Sequence, residues 1–208
     1  MSGRPVVIVL AAGKGSRFAG TLHKLMQPLG DSTVFVATLQ HAIASHLPVV
    51  VVTTQALAGI AARSVAARDV VTLPEVGTPG TPELGMGFSI SAGVAARPDA
   101  SGWLVLPADM PRVQPATLQA VARQLTDHPI AFAQYRGRRG HPVGFASELY
   151  SELIALTGDE GARRLVARYP AVGVEVEDPG ALLDVDTQAD LDRLRASAEP
   201  VPTPVARW

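Results

Sequence analysis

Apolar residues along the chain fall into two alternating kinds of run. Short stretches rich in valine and isoleucine, of the sort that fills a strand buried on both faces, are followed by longer stretches with apolar positions at helical spacing. Residues 5–11 predict a first strand and 33–46 a helix. Leu47-Pro48 breaks that pattern, and Val49-Val50-Val51-Val52-Thr53 predicts a second strand. The alanine-rich residues 55–67 predict a helix and Asp69–Leu73 a short strand. Pro74 to Pro82, crowded with proline, glycine and threonine, predicts a mobile loop. A helix is expected over Gly85–Arg97, a strand over Trp103–Leu106, a helix over 114–127, and a strand over Ile130–Tyr135 that runs into a basic turn. Helical segments are expected over 146–156 and 159–168. Val172–Val176 alternates like a less buried strand, and a last helix is expected from near Thr187. Ala198–Trp208 carries three prolines and predicts a loose tail. The expected division is one domain over residues 1–197 and a tail over 198–208.

Strand and helix patterns that alternate in this way predict an α/β fold: a single-domain, open, mostly parallel sheet with helices on both faces. In such sheets ligands sit beyond the C-terminal ends of the strands. That edge would hold the loop after the first strand, Asp109 after the strand at Trp103–Leu106, and the turn after Tyr135. At 208 residues, with 47% hydrophobic and 18% charged residues, the chain has the make-up of a globular domain with a full core. A net charge of −1 offers no general attraction to nucleic acid or an anionic membrane, so neither is expected as a partner. The absence of cysteine excludes disulfides, iron–sulfur clusters and thiolate zinc sites. No apolar run is long enough to span a bilayer. A strand follows the N-terminus almost at once, leaving no room for a signal peptide, so a cytoplasmic location is expected.

The first strand ends in Leu10-Ala11-Ala12-Gly13-Lys14-Gly15-Ser16-Arg17-Phe18-Ala19-Gly20, followed by Thr21-Leu22-His23-Lys24. Small residues let backbone N–H groups approach an anion, and nearby cations neutralise it. The chain's only two lysines, Lys14 and Lys24, lie here, whereas the rest of its positive charge is arginine. A polyphosphate fits such a loop. Two familiar phosphate motifs do not match it. A dinucleotide fingerprint needs a third small residue where Phe18 stands and an acid near the second strand's end, which reads Thr53-Thr54-Gln55. A P-loop must close on Gly-Lys-Ser/Thr, but Gly20 is followed by Thr21-Leu22.

Leu10-Ala11-Ala12-Gly13-x-Gly15-x-Arg17, a downstream lysine and Pro28-Leu29-Gly30 resemble the signature of MobA-like nucleotidyltransferases. The resemblance continues along nearly the whole chain. Leu106-Pro107-Ala108-Asp109-Met110-Pro111 resembles that family's metal-binding turn, and Leu183-Asp184-Val185-Asp186-Thr187 its closing acidic motif. Gly137-Arg138-Arg139-Gly140-His141-Pro142-Val143 and Gly158-Asp159-Glu160-Gly161-Ala162-Arg163 resemble the branch that transfers a nucleotide to the molybdenum-cofactor pterin. Phe18, where methionine is usual, and His23, where a small or amide residue is common, depart from the pattern.

The resemblance implies a Rossmann-like fold of the nucleotide-diphospho-sugar transferase (GT-A-like) type. It implies an NTP and a phosphorylated pterin as substrates, with Mg²⁺ as cofactor. Leu10 to Arg17, namely Leu10, Ala11, Ala12, Gly13, Lys14, Gly15, Ser16 and Arg17, would bind the nucleotide together with Lys24. Lys24, Arg17 and Asp109 would be catalytic, with Lys24 stabilising charge on the α-phosphate. Asp109 and Asp186 would hold the metal, Asp184 being the alternative to Asp186. Each acid also has a plain structural role open to it: a turn acid or N-cap at Asp109, and an N-cap of the last helix at Asp186 or Thr187. Arg138 and His141 would face the acceptor. Asp159-Glu160 is expected to open a helix, where acids suit the dipole. The guanylyl-transferring branch typically has Gly-Gly where this chain has Ala12-Gly13, and the cytidylyl-transferring branch Ala-Gly, so CTP is the expected nucleotide. The expected activity is transfer of CMP from CTP to the molybdopterin phosphate with loss of pyrophosphate, followed by transient contact with a molybdoenzyme or its chaperone. The alternatives are a nucleotidyltransferase with another phosphorylated acceptor and an NAD(P)H-dependent oxidoreductase of a quinone-like substrate on the same scaffold. The missing dinucleotide fingerprint weighs against the oxidoreductase.

Overall fold

A computed structural model gives the structure, describing residues 3–13, 18, 23–74 and 85–196. Its centre is a seven-stranded sheet. The strands are β1 (Val6–Ala11), β4 (Val49–Thr54), β5 (Val70–Leu73), β6 (Gly102–Pro107), β7 (Ile130–Tyr135), β8 (Arg138–Ala146) and β9 (Ala171–Glu175). Their order across the sheet is β5-β4-β1-β6-β8-β7-β9. All neighbours are parallel except around β8, which runs antiparallel to both β6 and β7. A small hairpin of β2 (Pro28–Leu29) and β3 (Ser32–Thr33) lies outside it.

Alternate residues of the central strands feed two separate cores. Val7, Val9, Val51, Leu104 and Leu106 face one side, where they pack with α1 (Val34–Ala44), α2 (Gln55–Ala61), α4 (Pro115–Gln124) and α7 (Gln188–Ala196). Val6, Ile8, Val50, Val52, Trp103 and Val105 face the other, toward α3 (Met86–Ala95), α5 (Tyr150–Ile154) and α6 (Arg163–Arg168). Burial on both faces is why these strands read as unbroken apolar runs. Helix starts follow local chemistry. Thr33 Oγ1 accepts the Val36 N–H at 3.3 Å to cap α1, and Pro115 opens α4, where a missing N–H costs nothing.

Several expectations change. The predicted basic turn shrinks to Arg136 and Gly137, both at positive φ (49° and 71°), and Arg138–Ala146 forms β8. Arginines, glycine and proline disfavour a strand in isolation; pairing on both sides overrides that preference. The helix expected over 159–168 is only Arg163–Arg168, so Asp159 and Glu160 lie in the turn before it rather than on a helix end. The helix expected over 55–67 stops at Ala61, and a 3-10 turn over Ala67–Asp69 precedes β5. The segment predicted as helical over 146–156 is a 3-10 turn at Ser147–Leu149 followed by α5. Of the predicted loop only Pro74 is described, and the expected tail over 198–208 lies outside the described residues. Among the described residues no helix is long and apolar enough to cross a membrane.

Candidate active site

The site forms at the C-terminal edge of β1 and β6. Leu10 and Ala11 end β1, and Ala12 and Gly13 follow. The Ala108 N–H donates to the Leu10 carbonyl at 3.0 Å, joining the two strand exits. Thr38 Oγ1, wholly buried, lies 2.9 Å from the Ala108 carbonyl and 3.0 Å from that of Val34, so its one proton holds the exit of β6 against α1. Asp109 comes next. Its carbonyl accepts the Val185 N–H at 2.9 Å, which brings the acidic segment near the C-terminus alongside.

Asp178 fixes that segment from its other end. It is 4% exposed and accepts from the Thr117 hydroxyl (2.6 Å), the Gln114 N–H (2.8 Å) and the Gly180 N–H (2.9 Å). A carboxylate with three donors is well satisfied in a dry place. The segment then packs on β8 where Gly140 leaves no room for a side chain: a Cβ there would stand 2.2 Å from the Ala181 carbonyl oxygen. Sequence reasoning missed Asp178, whose signal was the turn-forming Asp178-Pro179-Gly180.

Lys24 lies in a 3-10 turn, Lys24–Met26, at the return of the glycine-rich loop. Its Nζ donates to Asp109 Oδ2 at 2.6 Å and to Asp186 Oδ1 at 3.1 Å. The three side chains are 13%, 15% and 22% exposed, so water screens them little. Burial disfavours the ammonium, but the charge and hydrogen bond of Asp109, with those of Asp186, outweigh it and hold the Lys24 pKa above its ordinary value. Thr187 caps α7: its Oγ1 accepts the Asp190 N–H (3.2 Å), while Asp190 Oδ2 accepts the Thr187 N–H (2.8 Å). Thr187 thus supplies a cap of its own, and the Asp186 carboxylate reaches Lys24. Asp184 stands in the same field. Partial burial, with the charges of Asp186 and Asp109, raises its pKa against the opposing effects of its own backbone N–H and Lys24.

These acids form one end of a cleft of about 900 Å³ on the α3, α5 and α6 face. Val105, Val143 and Phe145 make its floor, Met86 and Ile90 of α3 one wall, and the stretch from Asp159 to Ala167 another. Arg138, Arg139 and His141 of β8 line it beside the acids. The β7–β8 ladder is irregular beside His141. Phe132 pairs with Val143 and Gln134 with Arg139, so four steps of β8 oppose two of β7. Burial lowers the pKa of His141, Arg139 adds to the effect, and Asp109 opposes it. The Arg139 guanidinium lies 4.5 Å over the Phe132 ring.

The expected site residues thus divide. Lys24, Asp109 and Asp186 come together, with Asp184 beside them and Arg138 and His141 in the same cleft. Leu10, Ala11, Ala12 and Gly13 end at the same edge. Lys14, Gly15, Ser16 and Arg17 lie outside the described residues. Phe18 is buried in the first core, 8% exposed. Among the described residues no three of His, Asp and Glu form a ready-made metal cage. Asp109 Oδ1 is nonetheless buried with no hydrogen-bond partner, and Oδ2 is engaged by a cation. Hard carboxylate oxygens, too few to enclose an ion alone, suit a Mg²⁺-type cation completed by phosphate and water.

Known proteins share this architecture. Purine catabolism protein PucB of Bacillus subtilis is 30% identical over 90% of this chain and 94% of its own length. The crystal structure of Rv0371c from Mycobacterium tuberculosis superposes with a TM-score of 0.77 at 30% identity, covering 93% of this chain and 98% of that one. A further structure of that protein, in complex with manganese, gives 0.73 at 28% identity, with 93% and 99% covered. A Methanothermobacter nucleotidyl transferase, Mth528, gives 0.74 at 25% identity, with 93% and 97% covered. Residues 7–172, which run from β1 into β9, match the family model of the MobA-like NTP transferase domain, and the chain belongs to that family.

Proposed function

We propose that this nucleotidyltransferase moves CMP from CTP to the phosphate of molybdopterin and releases pyrophosphate. The observation that carries the reading is the meeting of Lys24, Asp109 and Asp186 at the mouth of a cleft whose other side presents Arg138 and His141. An oxygen of the acceptor phosphate attacks the α-phosphorus. A new P–O bond forms, the bond from the α-phosphorus to the bridging oxygen breaks, and pyrophosphate leaves with the electron pair. The attacking phosphate is already an anion and needs no strong base, so alignment and charge neutralisation lower the barrier.

Backbone amides at the end of β1, with Arg17, hold the triphosphate. Lys24 turns from the two acids to the charge growing on the α-phosphate and the leaving oxygen. Arg138 and His141 orient the acceptor; His141, kept neutral by burial, does so as a hydrogen-bonding group rather than a cation. The apolar floor and the α3 wall suit a flat heterocycle. Asp109 and Asp186 would hold Mg²⁺, which when bound screens the phosphate charge. Ala12 supports CTP as the nucleotide, through the likeness of Ala12-Gly13 to the cytidylyl-transferring branch. Delivery of the product to a molybdoenzyme or its chaperone in the cytoplasm completes the reading.

The test is pyrophosphate release from each of the four NTPs with molybdopterin, with and without Mg²⁺. Release with CTP that requires both acceptor and metal is expected. Preference for GTP would overturn the choice of base. NADH oxidation by a quinone, without turnover of any NTP, would overturn the transferase reading.

A further inference from the structure

The exit of β1 runs to Gly13, and His23 directly precedes Lys24. The His23 ring joins these two points. Its Nε2 lies 3.2 Å from the Gly13 carbonyl oxygen, and its Nδ1 lies 3.3 Å from the Leu25 backbone nitrogen. A carbonyl can only accept and an amide N–H can only donate. Both contacts are made together in just one ring state: neutral, with the proton on Nε2 and the lone pair on Nδ1.

We propose that His23 is a positioning residue whose ring clasps the exit of β1 at Gly13 to the turn carrying Lys24 and fixes that turn; the proposal rests on the nucleotidyl-transfer reading. The turn Lys24–Met26 is three residues long and has almost no stability of its own. Besides its own backbone bonds and the two carboxylates that Lys24 reaches, it is held by Leu25, 3% exposed in the first core, and by the His23 cap on the Leu25 amide. Lys24 directly follows His23, so the cap sets where its side chain begins its reach to Asp109 and Asp186. The second bond acts on Gly13 at the exit of β1. Holding the Gly13 carbonyl fixes the plane of the peptide bond at the loop's start. A cradle of backbone amides depends on the direction of such planes. One imidazole thus ties the exit of β1 to the approach of the lysine.

The two bonds can be separated by substitution in the full chain. Asparagine places an oxygen near Nδ1 and keeps the cap, whereas glutamine places an amide nitrogen near Nε2 and keeps the Gly13 contact. CTP affinity with Mg²⁺ is measured by calorimetry, and the Leu25 amide by NMR hydrogen exchange. In His23→Ala, loss of one hydrogen bond at each point should speed Leu25 exchange and weaken CTP binding, each on the order of three- to tenfold. His23→Asn should restore Leu25 protection but not CTP affinity. His23→Gln should restore CTP affinity but not Leu25 protection. Wild-type CTP affinity in His23→Ala, or glutamine and asparagine variants that both behave like alanine in both measurements, would overturn the clasp. A wild type that binds no CTP would instead overturn the nucleotide reading, and unchanged Leu25 exchange in His23→Ala would still overturn the clasp by itself.

Discussion

Replacing Lys24 by alanine should have two opposite effects, both traceable to its place between Asp109 and Asp186. The ammonium at 2.6 and 3.1 Å from these carboxylates occupies oxygens that a divalent cation would use. A hydrogen bond to a charged group contributes about 1.5–3 kcal/mol, so a metal that must displace even one loses roughly tenfold in affinity. Without nucleotide, Lys24→Ala should therefore bind Mn²⁺ about ten- to a hundredfold more tightly than wild type, the upper figure corresponding to both bonds. Turnover should move the other way. Removal of one electrostatic donor in a water-poor site costs on the order of 10²-fold in kcat. Electron paramagnetic resonance of free Mn²⁺ measures the first effect, and pyrophosphate release the second. The raised Lys24 pKa means that the ammonium stays charged through and beyond neutral pH, so the difference in Mn²⁺ affinity should be flat across that range. Its stabilising contribution is complete below the ordinary lysine value and is lost only as pH rises through the raised one. Unchanged or weaker Mn²⁺ binding in Lys24→Ala would refute the competition, and with it the assignment of these carboxylates to the metal.

The two late acids should separate by substitution. Asp109→Asn and Asp186→Asn should each abolish Mg²⁺-dependent turnover while the fold survives, as read by circular dichroism. Asp184→Asn should instead raise the melting temperature at neutral pH, because partial burial and the charges of Asp186 and Asp109 oppose ionisation there; the gain should vanish as pH falls through the raised Asp184 pKa, where wild type takes up the proton itself. His141 has the reverse sign: its lowered pKa means that the unfolded chain binds the proton first, so stability should fall as pH drops below the ordinary imidazole range, and His141→Gln should flatten that fall in pH-dependent melting curves. Ala12→Gly should shift kcat/KM part of the way from CTP toward GTP, a single methyl being worth about 1–3 kcal/mol in discrimination. Ala12 is also packed in the second core at 8% exposure, so the melting temperature should drop in the same variant.

The parts of the fold that local sequence dictates were legible. β1 and β4 are runs made mainly of β-branched residues, buried on both sides, and nothing in their neighbourhood competes with a strand. β8 was not legible, because Arg138-Arg139-Gly140-His141-Pro142 becomes a strand only between β6 and β7. At the site, Lys24, Asp109 and Asp186 were recognisable from family-like motifs, but no spacing rule brings residues 85 and 162 positions apart onto one ammonium. That convergence is a property of sheet order. Asp186 could be distinguished from a helix cap only once Thr187 was seen to do the capping. His23 showed nothing in sequence beyond being unusual before the lysine, since both of its partners are backbone groups placed by the turn and by the exit of β1.

The late position of Asp186 has a consequence for how the protein is made. Chains emerge from the ribosome N-terminus first, and early segments begin to fold while later ones are still being added. Lys24 and Asp109 are available long before Asp186, and the Val185 N–H that steadies the Asp109 carbonyl arrives with that last acid. β9, at the sheet's edge, and Asp178 also belong to this final stretch. A nascent chain halted before residue 171 could pair β1, β4, β5 and β6 and still lack β9 and the second carboxylate. A released fragment of that length would have much of the sheet but not the complete acidic pair, so on the proposed function unfinished copies would not carry out the transfer.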